Sequence, residues 1–252
     1  NPAKTAIVVG DGVSYEFAQD IIEKVSKEYT LSKEHQYIFA GLPSETEHNM
    51  SQLYIDSGTV VKDKQDREAY LLKQNKDKSI GFIDLEKVNE TSDKEHYLIC
   101  SYKDPDKLGE TYQHKALKYF DLVAGIFATK IEQLFKNGYQ NVYLVTDHGF
   151  VLTGILDNSD KIEVDFKGNV KISERFIRSE NKQKIDTNLL IEKEVVYNNF
   201  NYSYFAKRLG PFKSTGVYGF SHGGLSPQET IIPFLKWSND NNTQDQVQVM
   251  IA

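Results

Sequence analysis

A single cysteine, Cys100, excludes an internal disulfide and any thiolate cluster able to hold a metal. Long apolar runs are missing too. Ala6 to Val9 and Ile231 to Leu235 fall far short of the ~20 residues that span a bilayer. No stretch joins a charged start, an apolar middle and a small-residue cleavage site, the pattern of a secretory signal. Arginine is scarce, at positions 67, 175, 178 and 208, and the formal net charge of −6 argues against a broad electropositive surface for nucleic acid. A cytoplasmic protein with no membrane partner is the expectation. The hydrophobic share of 39% and aromatic share of 12% fit a globular fold rather than disorder. Folded units run roughly 50 to 250 residues, so the 252-residue chain fits one domain, or a domain with a substantial insertion. It begins close to its first strand pattern, as a piece of a longer polypeptide would.

The pattern that organises the chain is Asn141-Val142-Tyr143-Leu144-Val145-Thr146-Asp147-His148-Gly149-Phe150. An apolar, β-rich run leads straight into an Asp-His pair and a glycine, which predicts a buried strand presenting two ligand-capable side chains at its carboxyl tip. In an open α/β sheet that tip is where sites are built. Thr5 to Val9 reads the same way, closed by Gly10-Asp11-Gly12. From Ser14 to Glu28, Phe17, Ala18, Ile21, Ile22 and Val25 recur at helical spacing, with Ser14 as N-cap.

Tyr37 to Ala40 is a short strand, followed by a loop marked by Pro43 and a helix from about Thr46. Residues from about 60 to 95 turn charged and polar and read as a peripheral insertion of short helices or loops. Tyr97 to Tyr102 is the next strand, then a loop from Lys103 to Glu110 and one long helix from about Thr111 to Asn137. Strand and helix alternate, which predicts a mostly parallel sheet with right-handed crossovers. Past Phe150, short alternating runs at 162–166 and 170–172 flank Gly168-Asn169 and predict a hairpin within a β-rich insertion over 151–200 that caps the site. Segments 202–212, 218–222 and 231–237 are expected to return to the core.

Three strand ends thus offer carboxylates, Asp11, Asp106 and Asp147. His148 and His222 add imidazoles, and Ser44 and Thr46 add hydroxyls. Carboxylate and imidazole without cysteine suit zinc, manganese or similar metals. Two such ions about 4 Å apart can clamp the attacking and leaving oxygens of phosphoryl transfer. Each residue also has an ordinary role open to it. Asp11 and Thr46 can cap helices, His222 can sit in a turn, and Glu16 and Glu229 are expected to pair or cap near the site. His35, His96, His48 and His114 read as surface histidines, the last two with outer contacts to the site as the alternative. Cys100 reads as core.

Gly10-Asp11-Gly12 with Tyr15-Glu16, Leu42-Pro43-Ser44-Glu45-Thr46, Thr146 to Phe150, and His222-Gly223-Gly224-Leu225-Ser226-Pro227-Gln228-Glu229 stand in an order that resembles the PglZ domain of the alkaline phosphatase superfamily. The likeness runs from about residue 5 to 235, and the last motif, followed by Ile231-Ile232-Pro233, is its most specific part. The resemblance implies a single PglZ-like domain over 1–252. Its α/β fold would be an alkaline-phosphatase-like core with a mostly parallel central sheet flanked by helices, plus a smaller β-rich insertion. It also implies two divalent metal ions, zinc first and manganese as the alternative. Asp11, Asp147 and His148 would hold one beside the nucleophile, and Asp106 and His222 the other. Glu110 stands where the wider superfamily often has a histidine; PglZ-type sequences tend to be acidic there, so the resemblance implies Glu110 as a further ligand of the second ion.

For the nucleophile, Thr46 is the better match and Ser44 the second, with Thr46 also touching a metal and Asn49 holding a phosphoryl oxygen. The implied activity is a metal-dependent phosphodiesterase or phosphatase acting on a phosphorylated or nucleotide-type substrate. The other reading is a non-catalytic interaction module of a bacterial phage-defence or signalling system, partnered by further domains of a longer chain or by defence-system proteins. No Cys/Ser-x-Pro-x-Arg motif of a sulfatase is present.

Overall fold

The computed structural model describes residues 3–34, 36–89, 95–112, 115–213 and 219–239, without the side chains of Asp104 and Glu110. The chain opens with β1 (Thr5–Gly10), α1 (Tyr15–Lys24), β2 (Thr30–Leu31), β3 (Tyr37–Phe39) and α2 (Thr46–Gln52). Next come α3 (Lys64–Gln74), β4 (Ile80–Asp84), β5 (Tyr97–Tyr102), α4 (Asp104–Tyr112), α5 (Leu117–Lys136) and β6 (Asn141–Thr146). The second half holds β7 (Val151–Leu152), β8 (Val170–Ile172), β9 (Phe176–Ser179), β10 (Leu190–Tyr197), β11 (Phe200–Ala206), β12 (Phe220–Ser221), α6 (Pro227–Thr230) and β13 (Ile231–Ser238).

The main sheet runs β2-β13-β6-β1-β5-β4, with β3 also paired to β13. β4, β5, β1 and β6 are mutually parallel, and β13 closes the far side antiparallel. β1 and β6 are buried along most of their length, which explains why the two runs are almost wholly apolar instead of alternating. Ala6, Val8, Leu98, Cys100, Val142, Leu144, Leu235 and Trp237 face α1 and α5, whose stripes supply Phe17, Ile21, Phe127, Ile131 and Leu134. Each fully buried large apolar side chain there contributes about 1.5–3 kcal/mol. Val9, Ile99 and Val145 point to the opposite face and meet Met50 of α2 and the partly buried Tyr70 and Leu71 of α3. Ser14 caps α1 as expected, its hydroxyl accepting from the Phe17 amide at 3.1 Å.

Register decides where the site lies. Gly10 is level with Tyr102 on one side and with Thr146 on the other. Asp11, Lys103 and Asp147 therefore leave the sheet at one edge. Gly12 adopts φ +70° and packs its bare Cα on Asp106, and the Asp106 amide donates to the Asp11 carbonyl at 3.2 Å. A left-handed residue without a Cβ is required at that close approach.

Several expectations are corrected. Segment 60–95 is more than helix and loop, since β4 joins the main sheet as its edge. The single helix over 111–137 is two, α4 and α5. Asp106 sits in the first turn of α4 rather than in a loop. Ala116, just before α5, is fully buried against Phe150 and Phe220, and Asp106 is bonded to the Asp11 loop; two helices meet both anchors. The predicted hairpin is shifted: β8 pairs with β9 around Ser173–Arg175, while 162–166 is not a strand. The Ile162 amide goes instead to the Pro211 carbonyl, and its side chain fills the core of the small sheet with Ile177 and Phe212. That sheet, ordered β10-β11-β9-β8, includes β11, so 200–206 does not return to the main core.

Candidate metal centre and nucleophile

Thr146 ends β6 with its hydroxyl turned back on the chain, accepting from the Val13 amide at 3.1 Å and lying 3.0 Å from the Gly10 carbonyl. This ties the Asp11 loop to the Asp147 loop. Asp147 and His148 follow, 1% and 0% exposed. Asp147 Oδ1 accepts from the amides of Gly12 at 3.2 Å and His148 at 3.0 Å. Among the described residues its Oδ2 is buried without a hydrogen bond, and so is Oδ1 of Asp11. These two oxygens lie 3.3 Å and 3.9 Å from His148 Nε2. Two buried acceptors with no donor form a costly arrangement that calls for a cation.

Both imidazoles are oriented from behind. His148 Nδ1 lies 3.0 Å from the Gly149 carbonyl and His222 Nδ1 2.8 Å from the Ser44 carbonyl. A carbonyl only accepts, so each Nδ1 carries the proton and each Nε2 keeps its lone pair. The rings stack at 3.7 Å between centroids, 8° from parallel. Gly149 permits the turn: a Cβ there would overlap the Gln228 carbonyl.

Thr46 begins α2, and its Oγ1 is 2.9 Å from His148 Nε2. With Nδ1 protonated, the hydroxyl donates and the ring accepts. Ser44 is fully buried and committed elsewhere, accepting from the Gly223 amide at 3.0 Å and donating to the Gly224 carbonyl at 3.2 Å. It therefore holds the His222 turn against the Thr46 loop. Asn49 lies one helical turn beyond Thr46; its amide donates to the Gly41 carbonyl at 3.2 Å, and its buried Oδ1 has no hydrogen bond among the described residues. The fold gathers the residues into two groups, Asp11 with Asp147 and His148, and Asp106 with His148 and His222. Each residue offers a ligand atom within 4.8 Å of the others in its group. The Glu110 side chain, His35 and His114 lie outside the described residues.

Burial and mutual repulsion govern the charges. Burial, reinforced by the Asp147 and Asp106 carboxylates, pushes Asp11 up to about 9. Asp147 is pushed up to about 6 by burial, against the amides that bond it. His148 is pushed down to about 3, first by burial and then by His222 beside it. At neutral pH Asp11 and His148 of the bare cluster are thus held in their neutral forms, and a bound divalent cation inverts the preference of Asp11.

Sequence reasoning gave Arg175 and Arg178 no role, yet both are only 1% exposed and lock the small sheet onto this site. Arg175 pairs with Glu229 through Nε–Oε1 at 3.1 Å and Nη2–Oε2 at 3.2 Å. Glu229, in the pairing and capping role expected of it, also receives the Gly224 and Ser226 amides at 2.8 Å and 3.2 Å. Glu16 is exposed, and His48 is half-buried beside Tyr197. Arg178 of β9 forks onto Glu45, the residue just before Thr46, and stacks 3.9 Å over the Tyr197 ring. The Tyr197 hydroxyl donates to Glu47 at 3.2 Å. Thr46 therefore stands between two carboxylates, each anchored on a strand of the small sheet. The scarcity of arginine was the available signal.

The mostly parallel sheet carries its carboxylate and imidazole cluster at one edge, and the fold is shared with solved structures. Murine ectonucleotide pyrophosphatase/phosphodiesterase 5 superposes with a TM-score of 0.60 at 12% identity, over 92% of this chain and 87% of that one. An inactive variant of the same protein in complex with AMP gives 0.58 at 12% identity, over 93% and 87%. The fold is phosphoesterase-like. Within that class the PglZ likeness is borne out. Residues 118–237 match the family described as BREX system PglZ alkaline phosphatase-like domain. The "Alkaline phosphatase-like protein PglZ" of Bacillus cereus (strain H3081.97) is 22% identical over 270 residues, covering 96% of this chain. The chain spans about a third of that protein's length, 32%. No helix among the described residues is long and apolar enough to cross a membrane.

Proposed function

We propose that the chain is a metal-dependent phosphohydrolase whose nucleophile is Thr46 and whose substrate is a nucleotide-type phosphodiester. The observation that carries this reading is the pair of buried, unpartnered carboxylate oxygens on Asp11 and Asp147, facing an imidazole lone pair and a threonine hydroxyl. Asp11, Asp147 and His148 would hold one divalent ion, and Asp106 and His222, with Glu110, a second. The donor set of oxygen and imidazole nitrogen fits zinc first and manganese next. Bound there, the ions supply Lewis-acid stabilisation of the attacking and leaving oxygens.

The chain's own residues supply position. Gly149 and Ser44 carbonyls fix both imidazoles with Nε2 inward. The Glu45 and Glu47 anchors hold the start of α2, so Thr46 Oγ1 points into the cluster. In the reaction Thr46 Oγ1 would bond to phosphorus in line as the bond to the leaving oxygen breaks, and the hydroxyl proton ends on that oxygen, which departs as an alcohol. Water then cleaves the phosphothreonine to release the phosphate product and restore the hydroxyl. Asn49 joins the phosphoryl oxygens only if its amide releases Gly41, so the primary orienting role passes to the strand anchors.

We place the chain in a phage-defence system in the cytoplasm, with further domains of a longer chain or defence-system proteins as partners. The family description and the 32% span of the Bacillus cereus relative both favour it. A domain acting there purely as an interaction module has no need of two orphaned buried acceptors, which favours turnover.

Elemental analysis of purified protein paired with an aryl phosphodiester assay tests the reading. We expect up to two divalent ions per chain, and turnover that Thr46→Ala lowers by about three orders of magnitude or more with metal content retained. No stoichiometric metal and no turnover with zinc or manganese overturns it.

A further inference from the structure

A cavity of about 220 Å³ opens beside Thr46 and Asp11 and is lined by Lys62, Lys64, Arg67 and Lys103. Arg67 is the unusual member. It is only 7% exposed, and among the described residues it makes no ion pair. Its Nη1 donates to the main-chain carbonyls of Val61, at 3.0 Å, and Lys62, while its Nε is buried without a hydrogen bond. Its charge reaches the Asp11 carboxyl only at a distance and lies 5.9 Å over the Tyr54 ring, so no hydrogen-bonded carboxylate among the described residues offsets its desolvation, and an anion entering the cavity would. The N-terminus of α3 lies on the same wall. Asp63 there makes no side-chain cap, so the first amides of an 11-residue helix add a positive field.

The acids of the cavity are already engaged. Glu47 is held by Lys62 at 3.3 Å and by Tyr197, and Asp11 belongs to the metal cluster. Lys64 donates to Ser101 at 2.6 Å and lies 3.4 Å from Asp84 and 3.6 Å from Glu68. Asp63 is the remaining lining carboxylate. With Asp11 committed to a cation, positive charge prevails.

Position within the reaction follows from which site residues line the cavity. Thr46 and Asp11 do; Asp106 and His222 do not. In an in-line displacement the leaving oxygen departs opposite the nucleophile, so a group seated beside Oγ1 belongs to the part of the ester that stays on phosphorus.

We infer that this cavity is an anion subsite selecting phosphodiesters whose retained portion carries a second phosphate. The inference deepens the phosphohydrolase reading and rests on it for the meaning of "retained". Charge-assisted bonds from a desolvated guanidinium and ammonium groups also explain how a chain of net charge −6 recruits a polyanion.

The test compares thymidine 5′-(p-nitrophenyl phosphate) with the same ester bearing a 3′-phosphate, on the zinc-loaded full chain. The bisphosphate is expected to show kcat/KM about ten-fold higher or more, a ratio that falls steeply with added salt. Lys103→Ala and Arg67→Met should each shrink that ratio. Should Arg67→Met fail to fold, the Lys64→Ala/Lys103→Ala pair decides. Equal kcat/KM for the two esters, unmoved by these variants, overturns the subsite and leaves the phosphohydrolase reading standing. If neither ester turns over, the phosphohydrolase reading falls, and calorimetry with thymidine 3′,5′-bisphosphate against thymidine 5′-monophosphate judges the subsite alone. Tighter bisphosphate binding lost in the lysine pair supports it, and equal binding overturns it.

Discussion

Asp11 folds with its carboxyl pushed up to about 9, whereas in the unfolded chain it returns to the ordinary carboxylate value. A group raised on folding stabilises at low pH and loses that contribution as pH climbs through the folded value. His148, pushed down to about 3, acts the opposite way, its contribution being lost as pH falls below the ordinary imidazole range. Asp147, raised to about 6, has largely finished by neutral pH. The clean window for Asp11 is therefore about pH 6.5 to 9. Metal-free protein is expected to lose stability across it, with a slope of up to about 1.4 kcal/mol per pH unit, and Asp11→Asn should flatten that slope. Thermal melts in chelator at several pH values measure both. Saturating zinc should reverse the trend, because the ion takes the deprotonated ligands. A slope unchanged by Asp11→Asn would place the titrating group elsewhere.

Between elements, the decisive contacts are those that tie the small sheet to the helix carrying Thr46. Arg178 of β9 meets Glu45, whose side chain is 12% exposed. Removing one partner of a buried pair strands the other's charge at a cost of about 3–5 kcal/mol. Arg178→Met should therefore lower stability by that order in urea unfolding, and Glu45→Gln in the same chain should recover most of it. Activity should follow the same rescue, since the stranded carboxylate adjoins Thr46. A second expectation concerns Gly149, where a Cβ would overlap the Gln228 carbonyl ahead of β13. Gly149→Ala should displace His148 and weaken zinc binding, read by titration against a chelating dye. Unaltered zinc affinity would show that α6 yields instead.

Across the whole molecule, the only tryptophan gives a probe. Trp237 is buried in β13 between the main sheet and α1 with α5. Because Arg175–Glu229 and Arg178–Glu45 fasten the small sheet to the main one, both are expected to unfold together. Trp237 fluorescence, sensing the main sheet, and far-UV circular dichroism, sensing both, should then give coincident urea transitions. Two separated transitions would mean that the small sheet melts alone. Leu144→Ala, in the fully buried β6, should shift both signals equally with a cost of about 2–5 kcal/mol.

The sequence by itself determined the strands whose burial shows in composition, β1, β5 and β6, and the helix whose cap and stripe agree, α1. It also placed Asp11 and Asp147 at strand tips, because an apolar run ending in Asp and Gly marks its own end. Helix breaks and strand partners were not legible. The split between α4 and α5 and the place of β4 in the main sheet depend on contacts distant along the chain, and the β8–β9 hairpin turns a few residues later than the Gly168-Asn169 signal. One such contact is Ala116 on Phe150 and Phe220. The charged stretch that carries α3 and β4 hides an edge strand, since an edge needs little apolar pattern. Only the tertiary structure decided that Ser44 supports while Thr46 faces His148, that Asn49 turns to Gly41, and that two arginines lock a β-rich insertion onto the loop and helix that carry Thr46. Ligand and support residues are of the same chemical kinds, and what separates them is which lone pair is left unpartnered once the chain has folded.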